Sequence, residues 1–216
     1  MSHLATVQTE IRDLELAQLA AQALGVSTTT CAVPAQLKSY YGEASEGCRL
    51  LFGTNRALGL ALQETGAYAV TGDVFCDQET ALVMGGRPYQ NSWYGTSPPG
   101  PTLFLREYAV QTALRIAQEN GMAVERLPAT GDDDLPEGRT GEKIILSGGY
   151  LPPHMRMIVV AVDDGTCRVA FDGATDSSCY LYTRPLEDAL GALLTDVSNL
   201  QTCHQTVAGV TCHIKR

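Results

Sequence analysis

Residues 102 to 120 hold the longest helical period in the chain. Leu105, Tyr108, Ala109, Thr112, Ile116 and Ala117 recur at three- and four-residue spacing, and Gly121 closes the run after Asn120. On both sides of this helix the apolar runs are short and broken by glycine, asparagine and aspartate. One long helix set among short, turn-punctuated runs predicts an α+β fold, with helices lying on an antiparallel sheet.

The remaining elements follow from the same reading. Leu4 to Glu10 reads as a first strand, and Leu14 to Leu24 as a helix capped by Asp13 and stopped by Gly25. The segment from Thr28 to Pro34 reads as a loop. Arg49 to Phe52, Leu58 to Gln63, Tyr68 to Val74 and Thr80 to Met84 read as strands of a meander. After the long helix come strands at Met122 to Leu127, Lys143 to Leu146, Met157 to Val162 and Cys167 to Phe171, with Asp163-Asp164-Gly165 as a hairpin turn. Pro185 to Val197 reads as a helix with Thr183 as N-cap, its buried stripe being Leu186, Ala189, Leu190, Leu193 and Val197. Gln201 to Arg216 reads as a C-terminal hairpin. The Gly/Pro stretch around Ser147 to Pro153 is the best boundary. It divides the chain into residues 1–147, a linker at 148–155, and a small ββα unit with its hairpin at 156–216.

The 216 residues carry a net charge of −9, and no Lys/Arg run occurs anywhere. An acidic surface repels phosphate backbones, so nucleic acid is disfavoured as a partner, while basic faces of other proteins are favoured. The N-terminal residues include Glu10, Arg12, Asp13 and Glu15 where a signal peptide needs an apolar core, and no apolar run is long enough to span a bilayer. A cytoplasmic protein with no membrane partner is expected, and its seven cysteines are then reduced by default.

Two groups of residues resemble known families. Met1-Ser2-His3, Thr9-Glu10-Ile11-Arg12-Asp13, Tyr41-Gly42-Glu43-Ala44 and the helix Phe104 to Gly121 are together similar to the hypothetical chloroplast reading frame thirty-five family, a family of unknown function. This resemblance covers residues 1 to about 147. The acidic Gly131 to Gly141 segment and the Pro-rich Ser97 to Pro101 loop depart from its pattern. Residues 156 to 197 resemble a second, short family of unknown function, through Ile158 to Val162, Asp164-Gly165, Val169 to Gly173, Ser178-Cys179 and Pro185 to Gly191. In bacteria the two families tend to be encoded side by side, often near an AAA-type ATPase. The resemblance therefore implies a fusion of two partner domains serving a larger complex, and it implies no catalytic residue.

The residues themselves offer three chemistries. Thr202-Cys203-His204 recurs as Thr211-Cys212-His213, and a hairpin turning near Val207-Ala208 would oppose the two copies. Thiolate and imidazole suit zinc or iron, but strand alternation puts Cys203 and Cys212 on one face and His204 and His213 on the other. The same pair of cysteines would also serve as a cross-strand thiol pair, or as two ordinary buried residues. Nucleophilic catalysis by Cys76 or Cys179 is disfavoured. Asp73, Asp77 and Glu79 surround Cys76 with charge that holds a thiol protonated. Asp132-Asp133-Asp134 lacks the spaced ligands of a calcium loop, and Gly85-Gly86-Arg87 lacks the Lys-Ser/Thr of a phosphate loop. Trp93 and Tyr94, in the Gly/Pro loop, are candidate partner anchors. His3 is a further candidate partner contact, against the simpler role of fixing the start of a strand.

The reading favoured by these residues is a non-enzymatic accessory or scaffold subunit that acts through protein–protein contacts, needs no cofactor, and has an AAA-type ATPase among the partners the resemblance implies. Homo-oligomerisation stays open. A metal–thiolate protein built on Cys203, His204, Cys212 and His213 is one alternative, and an unrecognised enzyme is the other.

Overall fold

A computed structural model describes residues 2–37, 47–56, 58–72, 78–84, 100–129, 135, 138–173, 180–190, 193–194 and 213–215. Its class is α+β, with two antiparallel sheets. The chain forms two compact units, Glu10–Tyr108 and a second built from Met1–Thr9 together with Ala109–Arg216.

Glu10–Tyr108 begins with helix α1 (Leu14–Ala23). Asp13 Oδ1 accepts the backbone N–H groups of Glu15 and Leu16 at 2.7 and 3.2 Å, which satisfies two donors that a helix start leaves open. The far end closes by a Schellman arrangement. Val26 N–H donates to the Ala21 carbonyl and Gly25 N–H to the Gln22 carbonyl, each at 2.9 Å, with Gly25 at φ +76. Leu16, Ala17, Ala20 and Ala21 are buried, and α1 packs against two strands of the four-stranded sheet, β2 (Thr28–Ala35) and β3 (Cys48–Phe52). The sheet continues through β4 (Leu58–Leu62) and β5 (Tyr68–Gly72) in the order β2-β3-β4-β5. The ring of Phe52 meets that of Phe104 edge-on at 5.1 Å. On the other face Cys48, Leu51, Ala61 and Leu37 form a small buried cluster.

Two expectations fail in this unit. The Thr28–Pro34 loop is strand β2. It is an edge strand whose residues are all exposed or half-buried, so it carries no apolar alternation from which it could be recognised. The strand expected at Thr80 to Met84 is helix α2 (Gln78–Val83), because a short apolar run does not distinguish the two periods.

The second unit opens with β1 (Ser2–Gln8). Helix α3 (Thr102–Glu119) crosses the division of the chain between Tyr108 and Ala109. It leads into β6 (Met122–Pro128), β7 (Gly141–Gly148), β8 (Arg156–Val162) and β9 (Thr166–Asp172). Helix α4 (Tyr180–Leu190) and the short strands β10 (Leu193–Leu194) and β11 (His213–Lys215) follow. The sheet order is β10-β1-β9-β8-β7-β6, with β11 also paired to β1. Register stacks Leu146, Met157 and Phe171 in one row and Ile144, Val159 and Val169 in the next, and all six are buried. Alternate positions such as Lys143, Ile145, Ile158, Arg168 and Ala170 are half-buried, as a pleated strand with one packed face requires. Tyr182 of α4 contacts Phe171 and stacks on Tyr150 with ring centroids 6.3 and 6.2 Å away, and Leu186 and Leu190 are buried.

The residues read as a linker lie differently. Residues 149–155 are the turn between β7 and β8, which pair over seven positions from Gly141↔Val162 to Ser147↔Arg156. The expected ββα unit is thus continuous with a larger sheet, and β9 pairs in turn with the N-terminal β1. The last helix starts before Thr183, which is therefore not its N-cap. Thr183 is buried inside α4 and its hydroxyl donates to Glu187 Oε1 at 3.1 Å. Pro185 stands in the interior of that helix, and Leu193 has left it for β10. Of the expected C-terminal hairpin, residues 201–212 lie outside the described residues, and His213–Lys215 pairs with β1. No described helix is long and apolar enough to cross a membrane.

Candidate interaction surface

The residues that carry the first resemblance hold the start of α1 in place. Arg12 and Asp13 donate their backbone N–H groups to the Tyr108 hydroxyl oxygen, each at 2.9 Å. Ile11 is buried, and its carbonyl accepts the Tyr68 N–H at 2.7 Å. Arg12 and Glu10 form a surface ion pair at 2.8 Å. Burial pushes the Tyr108 phenol above its ordinary range and outweighs the two backbone hydrogen bonds that pull it down. A protonated phenol that accepts two amides is a structural strut.

The described cysteines are packing groups. Cys48 and Cys167 are buried, and burial pushes the Cys167 thiol up to about 12, so it stays protonated at neutral pH. Cys31 is half-buried and lies against the Thr29 carbonyl at 3.8 Å. Cys76 and Cys179 lie outside the described residues, as do Trp93, Tyr94, Cys203, His204 and Cys212. His3 stands in β1 with Phe171 and Ile214 as its register partners, and His213 stands in β11 opposite Leu4. The backbone thus brings His3 and His213 to neighbouring register positions, which their separation in sequence did not suggest. Among the described residues, no group of three His, Cys, Asp or Glu side chains gathers to hold a metal ion.

The feature that does stand out is β6. Met122 is buried, but every residue from Ala123 to Pro128 is exposed, with Val124 at 42 % and Leu127 at 39 %. On one side β6 pairs with β7 from Met122↔Gly148 to Pro128↔Glu142 with no shift of register. Its other side ends the sheet among the described residues. The remaining edges are blunted. β2 breaks register between Thr30 and Ala35, contains Pro34, and has its Ala32 carbonyl taken by the Arg49 side chain. β5 is bridged at Tyr68 by Ile11. β10 and β11 are two and three residues long. Irregular, short and covered edges are how sheets avoid pairing with other chains. Among the described residues β6 is neither irregular, short nor covered before Pro128, and Glu125 and Arg126 are the charges it carries. Arg126 is paired with Glu142 on β7, whereas Glu125, on the same face as Ala123 and Leu127, makes no ion pair among the described residues. Met122 to Leu127 reads as a strand from sequence. That it ends a sheet does not, because edge position depends on which strands meet.

No family model, curated protein or solved structure matches the chain.

Proposed function

We propose that the chain is a non-enzymatic accessory or scaffold subunit working through protein–protein contacts, with an AAA-type ATPase among its partners. The ATPase follows from the resemblance of residues 1–147 and 156–197 to two families encoded side by side. The observation that carries the reading is the β6 edge, a regular strand presenting exposed Val124 and Leu127 and, among the described residues, one row of backbone groups with no partner strand. Such edges bind extended segments of other proteins through main-chain hydrogen bonds. The structural employment of Ile11, Asp13 and Tyr108 supports the same reading, since it gives the motif a purpose without chemistry. Purification from the native host, followed by size-exclusion chromatography with light scattering, tests it. A complex larger than the 23.1 kDa chain is expected. A chain recovered alone as a monomer overturns the reading.

The competing reading is a metal–thiolate protein, with zinc or iron held by the Cys203-His204 and Cys212-His213 pairs. Metal analysis separates the two. One mole of zinc or iron per mole of chain, with melting lowered by chelator, would replace the accessory reading with that one.

A further inference from the structure

We infer that the open edge of β6 takes an extended, basic segment of another protein as an added strand, a proposal that rests on the accessory-subunit reading and names its partner's chemistry. In an antiparallel ladder, alternate residues direct N–H and C=O away from the existing neighbour. The unshifted pairing of β6 with β7 over Met122–Pro128 leaves that outward row regular. Pro128, without an N–H, marks where it stops. Main-chain bonding of this kind is indifferent to sequence, so selectivity falls to the alternating side chains. On one face these are Ala123, Glu125 and Leu127, a carboxylate without an ion partner among the described residues and set between apolar neighbours. On the other face the Arg126 charge is already matched by Glu142. A lysine or arginine opposite Glu125, alternating with apolar residues, complements this pattern, and the net charge of −9 draws a basic segment toward it. A second copy of the chain fits less well. A two-fold axis normal to the sheet pairs residues of like face, so the register centred on Glu125 opposes two carboxylates, and both bodies carry the same net charge.

The test uses the full chain and a synthetic peptide of about nine residues alternating valine and lysine, long enough to span the strand. One control peptide is N-methylated along one edge, and another replaces lysine with glutamate. Binding is followed by amide chemical shifts and hydrogen exchange. The shifts are expected at Ala123 to Leu127, with newly slowed exchange at alternate amides. Both control peptides are expected to bind about ten-fold more weakly or worse. Glu125→Lys, an exposed change that leaves the fold intact, is expected to reverse the preference between the lysine and glutamate peptides. Shifts located elsewhere, equal binding of the N-methylated peptide, no saturable binding up to about millimolar peptide, or dimerisation of the free chain through β6 each overturn the assignment. Co-purification distinguishes this failure from that of the broader reading. A native partner retained equally by wild type and Glu125→Lys removes β6 as the site and leaves the accessory role standing, whereas a chain recovered alone removes the role itself.

Discussion

The hydroxyl of Tyr108 accepts the backbone N–H of Asp13 at 2.9 Å, across 95 positions of sequence, and it accepts that of Arg12 at the same distance. Asp13 in turn caps α1. One phenol oxygen therefore sets the point at which the chain turns into its first helix. Tyr108→Phe keeps the ring and removes the acceptor, leaving two part-buried amides unsatisfied. A loss of about 1–3 kcal/mol is expected in urea unfolding, with an unchanged denaturant slope. A loss under about 0.5 kcal/mol would mean that water replaces the phenol.

The cap itself separates by chemistry. Asp13→Ala removes the acceptor for Glu15 and Leu16 and is expected to cost about 1 kcal/mol. Asp13→Asn keeps an oxygen acceptor and is expected to retain most of that stability. Combined with Tyr108→Phe, Asp13→Ala should show coupling rather than simple addition, since both changes act on the same turn. Additive losses in the double-mutant cycle would show the two contacts to be independent.

Alkaline pH should weaken the fold in a defined order. Burial raises the Cys167 thiol from 9.0 to about 12. It also raises the Tyr150 phenol from 10.0 to about 12. Each folded-state value lies above the unfolded one, so the stability is fully present below the unfolded value and falls as pH climbs toward the folded one. Unfolding free energy is therefore expected to decline above about pH 9 as unfolded Cys167 ionises, and more steeply above about pH 10 as Tyr150 joins. Cys167→Ala should remove part of the slope between about pH 9 and 10. An unchanged slope in that variant would place the effect in other groups.

Gly59 is fixed by its neighbours. A Cβ there would stand 2.7 Å from the Leu50 carbonyl oxygen and 2.9 Å from Cys48 Cβ and Sγ. Two of those contacts are on the adjacent strand's backbone or rigid side-chain root, so neither yields by a rotamer change. Gly59→Ala is expected to cost about 1–3 kcal/mol despite the gain in strand propensity. Equal or raised stability by thermal melting would show that β3 and β4 can separate locally.

Hydrogen exchange on the free chain checks the edge directly. Between Ala123 and Leu127, alternate amides are expected to exchange quickly while those bonded to β7 are protected. Uniform protection along β6 would mean that its outer side is already covered.

Much of the fold was legible in local pattern. The period at residues 102–120 marks α3, the Asp13 cap and Gly25 stop bound α1, and Asp163-Asp164-Gly165 turns β8 into β9. Each rests on residues close in sequence, whose spacing and turn chemistry are visible in one dimension. The β2 strand and the α2 helix were not legible. Exposed Thr28 to Pro34 has no core face to alternate with, and Gln78–Val83 is too short to display a period.

By itself the sequence determined the α+β class, the helices α1 and α3 and most of the strands, because propensity and periodicity act over a few residues. Tertiary structure alone decided which strands share a sheet. The Gly/Pro stretch at 148–155 looks like a boundary yet joins β7 to β8, since a turn and a linker use the same residues and differ only in whether the flanking strands pair. Only pairing placed β1 beside β9, His3 near His213, and β6 at an edge. The candidate interaction surface is of this second kind, because an edge is defined by the neighbour a strand lacks.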